Sequence, residues 1–144
     1  MYFIQTRSDL VYTGLLFVTN FISARLYGYI TYSVWFYVLT ATTILFHGLF
    51  PNSLMMNVVD KIPIVGIVTT GGYLFVQKTR EMEFYDKIQY KIGAVTSFFL
   101  VLYLFYGGYL TTLYCFDPDE QIANTYHFLI HFLSSIGHHI IIMM

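Results

Sequence analysis

The stretch Tyr29–Phe50, YITYSVWFYVLTATTILFHGLF, runs 22 residues without an Asp, Glu, Lys or Arg. A helix needs about 20 mostly apolar residues to cross the hydrocarbon core of a bilayer. Read as a spanning helix, it ends on Phe46-His47, and an ionisable side chain at such a depth is a functional-site candidate by default. Four more segments have the same character: Leu10–Leu26, Leu54–Val76, Ile92–Phe116 and Ile122–Met144. The sequence thus predicts an all-α fold, a polytopic transmembrane bundle of about five spans that forms one domain over residues 1–144.

The punctuation fits that division. Tyr27-Gly28, Pro51-Asn52-Ser53 and Asp117-Pro118-Asp119-Glu120 separate the segments, and Gln77–Lys91 reads as the one long polar linker. Pro63 reads as lying near the start of the third segment, where a missing N–H is tolerated. Gly71-Gly72 and Gly107-Gly108 are expected to be points of close helix packing. No internal repeat or low-complexity tract is evident.

Composition supports the membrane reading. Hydrophobic residues make up 57% of the chain and charged residues 10%, against about 25% charged in an ordinary soluble domain. A net charge of −1 gives no electrostatic case for nucleic acid. Cys115 is alone, so no intramolecular disulfide can form. No signal peptide is expected: Arg7 is offset by Asp9, and the apolar run from Leu10 lacks a small-x-small cleavage site.

Basic residues set the expected orientation. Arg25, Lys78, Arg80, Lys87 and Lys91 fall on one side of the bundle, Arg7 and Lys61 on the other. Lys and Arg are retained on the cytoplasmic side, so the N-terminus is expected outside and the C-terminus inside. That orientation puts His47, Asp60, His127 and His131 at similar depth, toward the outer face.

His127 and His131 are four apart and so project from one helical face. With His47 from a second helix they can supply three imidazoles to one ion, and a catalytic zinc site keeps a fourth position for water. Asp60 stands among Val58, Val59, Ile62 and Ile64, where a carboxylate is costly, and is the natural general base. Thr43, one turn before His47, could offer a hydroxyl to a developing oxyanion. Blander roles exist for each: packed histidines, a helix-capping Asp60, a Thr43 bonded to its own backbone. His138-His139 read as an interface anchor at the far end.

Three strings then carry a resemblance. ITYSVWFYVLTATTILFH at Ile30–His47, VVDKIPIV at Val58–Val65 and HFLIHFLSSIG at His127–Gly137 resemble the alkaline ceramidases. These belong to a superfamily of membrane hydrolases that includes the progestin and adipoQ receptors. The resemblance implies His47, His127 and His131 as ligands of Zn2+, Asp60 as catalytic acid/base, and Thr43 in place of a serine that supports the transition state. It implies cleavage of the amide bond of a ceramide-like membrane lipid. Val18-Thr19-Asn20 is faintly similar to a small-hydroxyl-Asn pattern of the family's first helix. The chain departs from the family in four ways: Thr43 for Ser, a longer interval from His47 to Asp60, no acidic calcium-binding segment, and five segments rather than seven. Losing two helices preserves the orientation of the last.

Two other functions are open. A catalytically silent or receptor-like protein would keep the metal for structure. A haem protein would use histidines on facing helices as axial ligands, but that pattern asks for one His per helix, not a pair on one.

Overall fold

The computed structural model describes residues 8–50, 52–83 and 85–144; Arg7, the Asp9 side chain and Pro51 lie outside the described residues. These residues are all-helical, with no strand among them. Five helical rods follow one another. They are α1 (Ser8–Gly14 and Leu16–Leu26), α2 (Ile30–Leu49), α3 (Leu54–Glu81), α4 (residues 88–111) and α5 (Glu120–Met143). A short 3₁₀ turn at Tyr114–Phe116 joins α4 to α5.

Local chemistry sets the starts. Ser53 accepts the Met56 N–H at 3.2 Å and opens α3. Asp119 accepts the N–H groups of Gln121 and Ile122 and opens α5, with Glu120 adding a favourable charge to the first turn. Gly28, at φ 82°, makes the turn between α1 and α2. The expected linker is shorter than its composition suggested. With no Gly or Pro between Gln77 and Glu81, α3 continues to Glu81, and α4 begins at Ile88. Pro63 is also not near a helix start: Ser53 caps α3 ten residues before it, so Pro63 sits in the helix interior. There it withholds an N–H from the Val59 carbonyl, beside Asp60.

Two helices contain wide π-type turns. In α2 this turn spans Leu45–Leu49, and the Phe50 N–H donates five residues back to the Leu45 carbonyl at 2.9 Å. In α4 it spans Tyr103–Gly107. Such turns are concentrated at functional sites, and the first holds His47.

Three helices, Ile30–Leu49, Leu54–Glu81 and the run Ile88–Phe116, are long and apolar enough to cross a membrane. The apolar part of α1, Val11–Leu26, is shorter. Outward-facing apolar residues such as Leu54, Met55 and Leu110 are largely exposed, as expected for a lipid-facing surface.

The rods pack in the order α3–α2–α1–α5–α4. Phe17, Ala24, Tyr32, Phe36, Leu39, Ile67 and Ile142 form the core where α1, α2, α3 and α5 meet. Although α3 and α4 are consecutive, they do not pack along each other, so the bundle is open on that side. Close approach elsewhere relies on glycine. A Cβ on Gly137 would come 2.9 Å from Ser97 Cβ on α4, and one on Gly71 2.6 Å from the Tyr32 hydroxyl. Gly71 and Gly108 are the packing members of the two glycine pairs; Gly72 faces open space.

Polar bonds join α1 to α5. Asn20 is fully buried, donates to the Ser135 carbonyl at 2.9 Å and accepts from the Ser135 hydroxyl at 2.7 Å. Thr19 bonds His139 Nε2 at 2.9 Å. The Tyr32 hydroxyl bonds His138 Nδ1 at 2.5 Å, and the His138 ring packs edge-on against Phe36. His138 and His139 are therefore interhelical locks rather than interface anchors. Asn20→Ala removes two bonds and is expected to destabilise the bundle by about 1–3 kcal/mol. Ser135→Ala keeps the Asn20–carbonyl bond and is expected to cost less; thermal unfolding in detergent ranks the two.

Candidate metal centre

His47, His127 and His131 come together. One ring nitrogen from each lies within 4.8 Å of the others. His47 is supplied by the wide turn of α2 and is 8% exposed, while His127 and His131 face it from successive turns of α5. Ring centroids are 5.3 Å apart for His47–His127, 6.2 Å for His47–His131 and 4.8 Å for His127–His131. In a tetrahedral zinc site with Zn–N of about 2.0–2.1 Å, the nitrogens stand about 3.3 Å apart. Small side-chain rotations cover that difference. The donor set, three imidazoles on two helices with no fourth protein ligand among the described residues, fits an open tetrahedral site.

A residue not singled out in the sequence completes the arrangement. Thr13 of α1, 2% exposed, has its hydroxyl 2.9 Å from His131 Nδ1. With Nδ1 bonded to Thr13, His131 presents Nε2 to the cluster. Metal-bound histidines are generally fixed in this way through their other nitrogen, which settles tautomer and ring orientation. Phe17, one turn further along α1, packs its ring on His131 with centroids 5.4 Å apart.

Asp60 is 4% exposed, and Thr42 and Thr43 both donate to its Oδ1, at 2.9 and 3.0 Å. Two hydroxyls on one oxygen stabilise a carboxylate in an apolar setting and leave Oδ2 free of them. Thr43 is therefore engaged with Asp60 in this state rather than presented as an open oxyanion donor. It remains one turn from His47, so it ties the carboxylate to the helix that carries that histidine. Gly14 permits this packing: a Cβ there would come 2.7 Å from Thr43 Cγ2. The dipeptide Thr13-Gly14 thus touches both halves of the site.

No family model, no curated protein and no solved structure matches this chain.

A cavity of about 370 Å³ adjoins the cluster, lined by His127 and Phe46 together with Asn57 and Lys61 of α3 and Phe105 and Phe116 on the α4 side. It lies where α3 and α4 fail to meet. The wide turn at Tyr103–Gly107 contributes to its wall, so each of the two π-type turns borders the same region.

The purified protein is expected to bind one zinc per chain, and His127→Ala or His131→Ala to lose it, measured by elemental analysis. Thr13→Val should weaken zinc binding by about 10- to 100-fold, as loss of an outer-shell partner does; competition with a chromogenic chelator reads that change.

Proposed function

We propose that this chain is a zinc-dependent membrane hydrolase that cleaves the amide bond of a ceramide-like lipid, in the manner of the alkaline ceramidases it resembles. The observation that carries the reading is the pairing of a three-imidazole cluster with a buried carboxylate held by two hydroxyls. Zinc, when bound, would lower the pKa of water to about 7 and polarise a carbonyl oxygen. His47, His127 and His131 would hold it.

The protein's own groups would handle the protons. Water adds to the amide carbonyl carbon while Asp60 takes up its proton through Oδ2. As the C–N bond breaks, that proton passes to the leaving nitrogen, giving a free fatty acid and an amine. Thr42 and Thr43 keep Oδ1 fixed throughout, so the carboxylate does not need to reorient between the two transfers.

The same reading places five spans in the membrane, the N-terminus outside and the C-terminus cytoplasmic. The clustering of basic residues in Lys78–Lys91 supports it. A second reading, a catalytically silent or receptor-like protein that keeps the metal for structure, draws on the exposed sides of α3 and α4, where a seven-helix relative would have two further helices.

Asp60→Asn should abolish amide hydrolysis while leaving zinc bound; equal turnover in wild type and variant would remove Asp60 from the mechanism, and no turnover in the zinc-loaded wild type would favour the receptor-like reading. Thr43→Val should lower kcat by roughly 10- to 100-fold, as loss of one hydrogen bond to a charged group does, with zinc retained. For orientation, a cysteine placed in residues 82–87 of a Cys115→Ser background should react only with reagent on the cytoplasmic side; labelling from outside would reverse the proposed topology.

A further inference from the structure

Three of the four lysines are occupied at the end of the bundle away from the metal centre. Lys78 donates to the Ile141 and Ile142 carbonyls at 2.8 Å each, Lys87 to the Met144 carbonyl, and Lys91 to the Glu83 carbonyl at 2.8 Å. Lys61 differs. It is exposed and makes no hydrogen bond or ion pair among the described residues. It follows Asp60 directly on α3 and, with Asn57 one turn before it, lines the same cavity as His127. A membrane-embedded ammonium without a partner is costly. Snorkelling to the headgroup layer is its ordinary relief, yet here an amide donor and an imidazole of the metal cluster share its cavity.

We propose that Lys61 and Asn57 form an anion-binding subsite beside the metal centre. The preferred ligand is then a single-chain N-acyl lipid whose amine half carries a carboxylate or a phosphate. This deepens, and rests on, the amide-hydrolase reading. With the scissile carbonyl at the imidazole cluster, the anion must sit only a few bonds from the amide nitrogen to reach Lys61 within one cavity. The aromatic walls from Phe105, Tyr106 and Phe116 take the first carbons of the acyl chain, which continues into the open side between α3 and α4. A volume of about 370 Å³ is near the lower end of ligand pockets, which run roughly 300–1,000 Å³. That suits one chain and a compact head rather than two chains side by side.

The test uses the full-length, zinc-loaded protein in neutral detergent. N-acylglycine, N-acylethanolamine phosphate and neutral N-acylethanolamine, all with one acyl chain, are compared for binding by displacement of a fluorescent acyl probe, and for hydrolysis. Wild type should bind an anionic lipid about tenfold more tightly than the neutral one, the scale of a charge-assisted hydrogen bond. Lys61→Gln should collapse that ratio toward one, Lys61→Glu should invert it, and Lys61→Arg should retain it, which shows that the site still folds. Whichever anion binds tighter identifies the source, carboxylate or phosphate. Equal affinity for neutral and anionic lipids, or a preference that survives Lys61→Gln, overturns the proposal. So does an effect of Lys61→Gln confined to release of the fatty acid, which all three lipids yield alike. Preferential binding without cleavage sinks the hydrolase reading and leaves the subsite standing; cleavage without preference does the reverse.

Discussion

The bonds between the first and last helices hold this bundle together. Inside a bilayer, apolar surface gains little by leaving lipid for protein, so helices associate through close packing and polar contacts. Here Thr13–His131, Asn20–Ser135 and Thr19–His139 run along the α1–α5 seam, and Asn20 makes two of the bonds itself. The first of these is also a contact to a candidate ligand. Fold and site therefore draw on one set of interactions, and loosening α1 against α5 would release His131 from its fixed orientation.

Much of the candidate site was legible in the sequence because its residues are out of place there. An Asp among Val and Ile, and His pairs in apolar runs, stand out where burying a polar group is costly. The approach of His47, His127 and His131 matches the expectation drawn from helical spacing and common depth. Thr13 was not legible, since a threonine in an apolar helix more often bonds its own backbone, and only the packing of α1 on α5 gives it a distant partner. The π-type turns carry no local signature either; Leu45–Leu49 and Tyr103–Gly107 read as ordinary helix. The reach of α3 past Val76 is not evident in the sequence because Gln77–Glu81 is polar, although polarity at the end of a long helix does not interrupt it.

The two ends of the bundle are built differently. At the lower end, Lys78 and Lys87 donate to the carbonyls that close α5, where the helix dipole favours positive charge. These contacts fix the axial position of α5 and draw α3 against it. At the upper end α3 and α4 diverge, and the metal-centre residues lie near that gap. The bundle is thus closed at its lysine-bonded end and open beside the three histidines.

The wide turn at Leu45–Leu49 amounts to one residue inserted into an α-helix. Each residue of an α-helix advances the direction of the side chains by about 100°. Before the turn, Tyr32, Phe36, Leu39 and Thr43 recur on the buried face and His47, four residues beyond Thr43, continues it, while the extra residue shifts the phase of what comes after the turn. The turn is thus a register device. Removing Leu45 or Phe46 would leave a helix of similar length and apolarity, but would turn His47 by about 100° relative to the buried face, away from His127 and His131. The fold could survive such a deletion while the three-histidine cluster did not, so the two properties are separable at a single codon.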